Sequence, residues 1–158
     1  MKQWSWIAMT ALVGAAAAPA AQQGDVSGTT LAFLRGTCSA LVVGGVDKTS
    51  ECKASLINSA YKTGNSSFMF GLGDKAVVSF FGRDTAAVGD RATIHLMRVS
   101  VNVGGRMEDA MSSDVSGKCD YTNPYEGKAQ IICEAEGKKG KFRAVFTSDG
   151  TPPHVIKL

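Results

Sequence analysis

The sequence predicts an all-β protein: a small antiparallel β-barrel or sandwich of about eight or nine strands with two local disulfides and at most short helices. Three observations carry this expectation. Apolar residues recur at every second position in run after run, glycine-rich turns separate the runs, and the four cysteines fall into two pairs, each fourteen residues apart.

The chain opens with Met1-Lys2-Gln3, continues through an apolar stretch from Trp6 to an alanine run, and leaves it at Ala18-Pro19-Ala20-Ala21. A positive start, a short apolar centre and a small-residue exit make a secretory signal, with cleavage expected after Ala20. The apolar centre is shorter than the roughly 20 residues that span a bilayer. Residues 1–20 are therefore expected to leave as a signal peptide, and 21–158 to form a single disulfide-stapled β domain. The formal net charge of the whole chain is only +3, and Lys2 departs with the leader. So balanced a surface gives no electrostatic case for nucleic acid or for a membrane.

In the first half, 29–35 reads as a short helix or an edge strand. Cys38, Ala40 and Val42 share one face, 44–50 breaks the pattern, and Cys52, Ala54 and Leu56 share a face against Lys53 and Ser55. Thr63-Gly64-Asn65 marks a turn before Phe68 and Phe70, which alternate with Ser67 and Met69. The run 76–81 is apolar on both faces and reads as a central strand. Residues 93–103 form the longest candidate, and their apolar phase shifts near Leu96-Met97, the signature of a bulge or bend.

In the second half, 105–111 could form one turn of helix. Val115, Gly117, Cys119 and Tyr121 then alternate with polar residues, and 123–127 makes a connection. Ala129, Ile131, Cys133 and Ala135 form one face of the next strand, the turn Gly137-Lys138-Lys139-Gly140 follows, and Phe142, Ala144 and Phe146 line the returning strand. The last two runs read as a hairpin. Gly-x-Cys precedes a Cys-x-Ala at identical spacing in both halves, which suggests a pseudo-repeat of 36–70 and 117–146.

An even cysteine count in an exported chain implies paired thiols, and local pairing is expected: Cys38 with Cys52 and Cys119 with Cys133. Each bridge closes a loop worth roughly 3 kcal/mol in the chain-entropy account. Catalytic motifs are few. A bridged Cys38 cannot serve as a thiolate nucleophile. No GxSxG elbow is present, and Glu134 and Glu136 sit on the polar phase of a strand, where carboxylates are solvated. His95 and His154 are the only histidines, too few and too far apart along the chain for a zinc site, and no metal or other cofactor is expected.

What remains is an exported, periplasmic or secreted, non-enzymatic binding module that recognises a protein or envelope glycan partner through loops on a rigid scaffold. An inhibitor of an exogenous hydrolase is one concrete form. The candidate loops are 44–50, 84–90 and 122–127. The expected binding residues are Tyr121 and Tyr125 as aromatic contacts, Glu126 beside them, and the basic set Lys138, Lys139, Lys141 and Arg143. Two alternatives stand beside this expectation. One is a small hydrolase using His95 with a nearby carboxylate; the other is a structural envelope or assembly subunit joined through an exposed strand edge.

Overall fold

The structure, a computed structural model, describes residues 26–105 and 111–158. The expected signal peptide lies outside the described residues. So does most of the helical turn expected at 105–111, and Met111 itself opens a strand.

Ten strands follow in order: β1 (Thr30–Val43), β2 (Val46–Asp47), β3 (Cys52–Ala60), β4 (Asn65–Leu72), β5 (Ala76–Asp84), β6 (Arg91–Val103), β7 (Met111–Thr122), β8 (Gln130–Gly137), β9 (Gly140–Ser148) and β10 (His154–Lys157). A 3₁₀ turn, Thr49–Glu51, precedes β3. Strands β1, β3, β4, β5, β6, β7, β8 and β9 pair in succession, each antiparallel to the next, and β9 pairs back onto β1. The result is a closed eight-stranded barrel with two additional strands, which decides barrel over sandwich.

The inside of the barrel is the apolar phase read from the sequence. Leu41, Leu56, Phe70, Val78, Phe80, Ile94, Val99, Ile131 and Phe146 are buried almost completely. Phe70 and Phe80 meet edge-to-face with centroids 5.6 Å apart. Lys118, Glu134, Glu136, Lys141 and Arg143 alternate with the core positions and are exposed. This is the reverse of a barrel embedded in lipid, where the apolar phase faces out. Among the described residues, no helix is long and apolar enough to cross a membrane.

Two extra residues set the strand phases. Met97, 46 % exposed, is the bulge in β6: the register to β7 jumps between Leu96 and Arg98. Ile94 and Leu96 point inward before it, and Val99 and Val101 after it, as the phase shift implied. In β1 the register to β9 jumps between Cys38 and Ala40. Cys38 points inward, but Leu41 and Val43 take over the inner face after the bulge, so the grouping of Cys38 with Ala40 and Val42 is corrected.

The segment 29–35 is neither helix nor edge. From Thr30 to Phe33, β1 pairs with β3 on one side and β10 on the other. Residues 154–157 are that flanking strand.

Both expected disulfides are present, Cys38–Cys52 and Cys119–Cys133. Cys119 and Cys133 are register partners on β7 and β8 and are fully buried in the barrel. The Cys38–Cys52 bridge ties β1 to the start of β3 and is only partly buried. All four cysteines are thereby bonded, a state that an oxidising compartment sustains.

Closing a sheet this tightly requires strands to coil, and glycine supplies the room. Gly82 and Gly117 flank Leu96 on either side. A Cβ at Gly82 would stand 2.0 Å from the His95 carbonyl oxygen, and one at Gly117 would stand 2.1 Å from that of Glu134. Gly82→Ala should therefore destabilise the barrel by about 2–3 kcal/mol or more through backbone overpacking. Gly89→Ala, whose Cβ would meet open space at a φ of +64°, should cost about 1 kcal/mol. Paired thermal denaturations check the order of the two effects.

Candidate binding site

The connections 61–64, 85–90, 123–129 and 149–153 gather at one end of the barrel, while those at 44–51, 73–75 and 138–139 lie at the other. This polarity sorts the expected site residues. Of the candidate loops, 84–90 and 122–127 share an end and 44–50 is opposite. Tyr121, Tyr125 and Glu126 belong to the first end. Lys138 and Lys139 form the β8–β9 turn at the second, and Lys141 and Arg143 run up the outer face of β9. These seven residues do not make one surface. The basic set is also partly occupied: Arg143 pairs with Glu134 at 3.1 Å, and Lys139 donates to the Ser112 carbonyl at 3.3 Å.

The first end carries an open mouth, a cavity of about 270 Å³. Its walls are inward residues of the strands, Ala32 and Leu34 of β1, Asn58 of β3, Phe68 of β4, Tyr121 of β7 and Ile131 of β8. Its rim is built from Ala87, 89–92 and 122–125, with Asp90, Arg91, Pro124 and Tyr125 around the opening. Toward the opposite end, Leu41, Phe70, Val78 and Phe80 are fully buried and fill the interior, so the mouth is a shallow cup.

The rim is braced from within. Asn123 donates its backbone N–H to the Asp90 carbonyl at 2.9 Å, tying the two loops together. The Asn123 side chain accepts from the Tyr125 N–H at 3.0 Å, an Asx turn that presents the Tyr125 ring. That ring is 57 % exposed.

Inside the cup, Tyr121 packs edge-to-face on Phe68 at 5.1 Å. Its hydroxyl donates to the Asp84 carboxylate at 3.0 Å, and Ser66 donates to the same carboxylate at 2.9 Å. Tyr121 is thus half-buried, not the open aromatic contact that the sequence suggested. Asp84 stands on the inner phase of β5, after Phe80 and Gly82. A carboxylate on the apolar phase was the available signal for this network, and its partners are remote in sequence. On the outer side of the rim, the Lys118 ammonium lies 2.7 Å from Asp120 and, with a bond from Thr93 and the Arg91 charge, holds that carboxyl below its ordinary value.

Burial, and then the Asp84 charge and bond, push the Tyr121 phenol well above its ordinary value of 10.0. The unfolded chain therefore gives up this proton first. The contribution is fully present below about pH 10 and declines as pH rises beyond it. Wild type should lose more Tm between about pH 9 and 11 than Tyr121→Phe, which scanning calorimetry reads.

The histidines stand apart from the mouth. The bulge at Met97 puts His95 on the outer face of β6, out of phase with Val99, where it is exposed between the cross-strand partners Arg83 and Lys118. Among the described residues, no hydrogen bond or ion pair joins it to a carboxylate. His154 lies against the Phe33 ring at 6.1 Å. No group of three His, Cys, Asp or Glu among the described residues could hold a metal ion. No protein-family model, curated protein or solved structure matches the chain.

Proposed function

We propose that this protein is an exported, non-enzymatic binding module that engages a protein or envelope glycan partner with the mouth end of its barrel. The observation that carries the reading is the preformed cup itself. Aromatic residues line it, its two loops are cross-braced, and it sits on a closed barrel whose inner wall is stapled by a buried disulfide. A scaffold so fixed loses little entropy on binding. Tyr125 is the residue expected to dominate, because an exposed tyrosine at the lip of a concave apolar site is the usual form of an interface anchor.

Affinity capture with the oxidised protein from its own cell envelope tests this. Tyr125→Ala should weaken capture by about tenfold or more, as loss of an anchor does. A Lys138→Ala/Lys139→Ala double variant should capture as wild type does. Unchanged capture after replacement of 122–127 would reject the mouth.

One observation favours a second reading, an assembly subunit. Among the described residues, strand β10 pairs only with β1, and all four of its residues are exposed, including Val155 and Ile156. An uncovered edge of this kind accepts another strand. Light scattering over a concentration series separates the two: a monomeric mass throughout supports the mouth, and reversible self-association supports the edge.

A further inference from the structure

We infer that the cup receives a cationic side chain on an apolar stem, the lysine or arginine of a polypeptide partner; this rests on the mouth being the binding site. Four features of the cup point the same way. First, its depth limits the occupant. The filled core below leaves about 270 Å³, room for one residue-sized group and not for an extended lipid chain. Second, its walls suit the stem: Ala32, Leu34, Phe68 and Ile131 offer only apolar surface.

Third, two polar groups on the inner wall of the cup, on Asn58 and Tyr121, offer acceptor oxygens. Asn58 donates one hydrogen of its Nδ2 to the Ser67 carbonyl at 3.1 Å, and among the described residues no hydrogen bond is made to its Oδ1. The Tyr121 hydroxyl spends its proton on Asp84, so its oxygen can only accept. Acceptors without protein donors call for a ligand rich in N–H.

Fourth, two carboxylates, Asp84 behind the wall and Asp90 at the rim, stand against one cation of the lining, Arg91. The Asp84 carboxylate lies behind Tyr121 and is satisfied by two hydroxyl groups; among the described residues, no cation pairs with it. Asp90 adds a second carboxylate at the rim. Arg91, the cation of the lining, also borders the outer hollow with Thr93 and Asp120, and its charge acts on Asp120. The Tyr121 and Tyr125 rings complete the site, since aromatic faces attract ammonium and guanidinium groups.

The test is a backbone-amide NMR titration of the oxidised protein. The probes are Nα-acetyl-lysine methylamide and the arginine equivalent, the neutral isostere Nα-acetyl-norleucine methylamide, methyl glucoside and n-butylamine. The lysine and arginine compounds should shift the amides of Asn58, 87–92 and 121–123, with norleucine and glucoside about tenfold weaker, as expected when a charged hydrogen bond is lost. Butylamine should also bind more weakly, for want of peptide groups to meet the rim. Asp84→Asn should erase the preference for lysine over norleucine while leaving the amide pattern of β1 intact. Where that variant does not fold, salt decides: raised ionic strength should weaken lysine and spare norleucine.

Equal or tighter binding of norleucine or glucoside at the same amides would overturn the cationic assignment while leaving the mouth as the site. Equal binding of butylamine would overturn the polypeptide source. Absence of any shift at these amides would overturn the inference outright, with the Tyr125→Ala capture experiment left to judge the mouth on its own.

Discussion

Phe80→Ala should unfold at markedly lower denaturant, with a loss of about 3–5 kcal/mol. The ring is fully buried, sits edge-to-face on Phe70, and is the cross-strand partner of Phe68, whose side chain lines the cup. Removing it forfeits the transfer energy of the aromatic ring and leaves a void that closed hydrogen-bonded strands on every side cannot collapse to fill. A domain of this size has only about 5–15 kcal/mol of net stability, so one ring is a large fraction of the whole. Urea titration followed by tyrosine fluorescence measures it. The same deletion at the exposed Tyr125 should change stability by less than about 0.5 kcal/mol, which separates the core's role from the lip's.

The second large effect concerns the bridges. Removing Cys119–Cys133 by paired Ala substitution should cost about 3 kcal/mol, through a larger unfolded ensemble and the loss of packed sulfur inside the barrel. Cys38–Cys52, being partly buried, should yield first to mild reductant; the fully buried bridge should resist until the barrel opens. Mass spectrometry after timed alkylation orders the two. In the native oxidised protein, a thiol assay under denaturing conditions should detect no free sulfhydryl.

How much of this was legible beforehand follows from how local each signal is. The β8–β9 hairpin and the inner face of β7 were readable because one side of each strand is buried and the other wet, so the period of two is undisturbed. The β6 bulge was readable because one residue too many inverts the phase of a long run. Strand β1 was harder. Leu31 and Phe33 lie on its outer phase, and both are only partly exposed where β10 runs alongside. With apolar residues on both faces, alternation vanishes, and 29–35 resembles a helix as much as a strand. The bulge after Cys38 then misassigned Ala40 and Val42.

The candidate site was less legible than the fold, for a related reason. Tyr125 could be singled out beside Pro124, but the cup that gives it meaning is assembled from β1, β3, β4, β7 and β8, and no local pattern announces that meeting. Ser66, Asp84 and Tyr121 join across long stretches of chain. The basic run 138–143 stood out in sequence because four of its six residues are cationic, yet in the barrel it divides between a turn at the far end and the outer face of β9.

Hydrogen–deuterium exchange on the complex with the captured partner tests most directly whether this molecule acts through its mouth. Slowed exchange should concentrate at 85–92 and 121–127, with 44–50, 138–141 and 154–157 unchanged. Protection centred on the far-end turns or on β10, with the mouth loops exchanging as in the unbound protein, would contradict it.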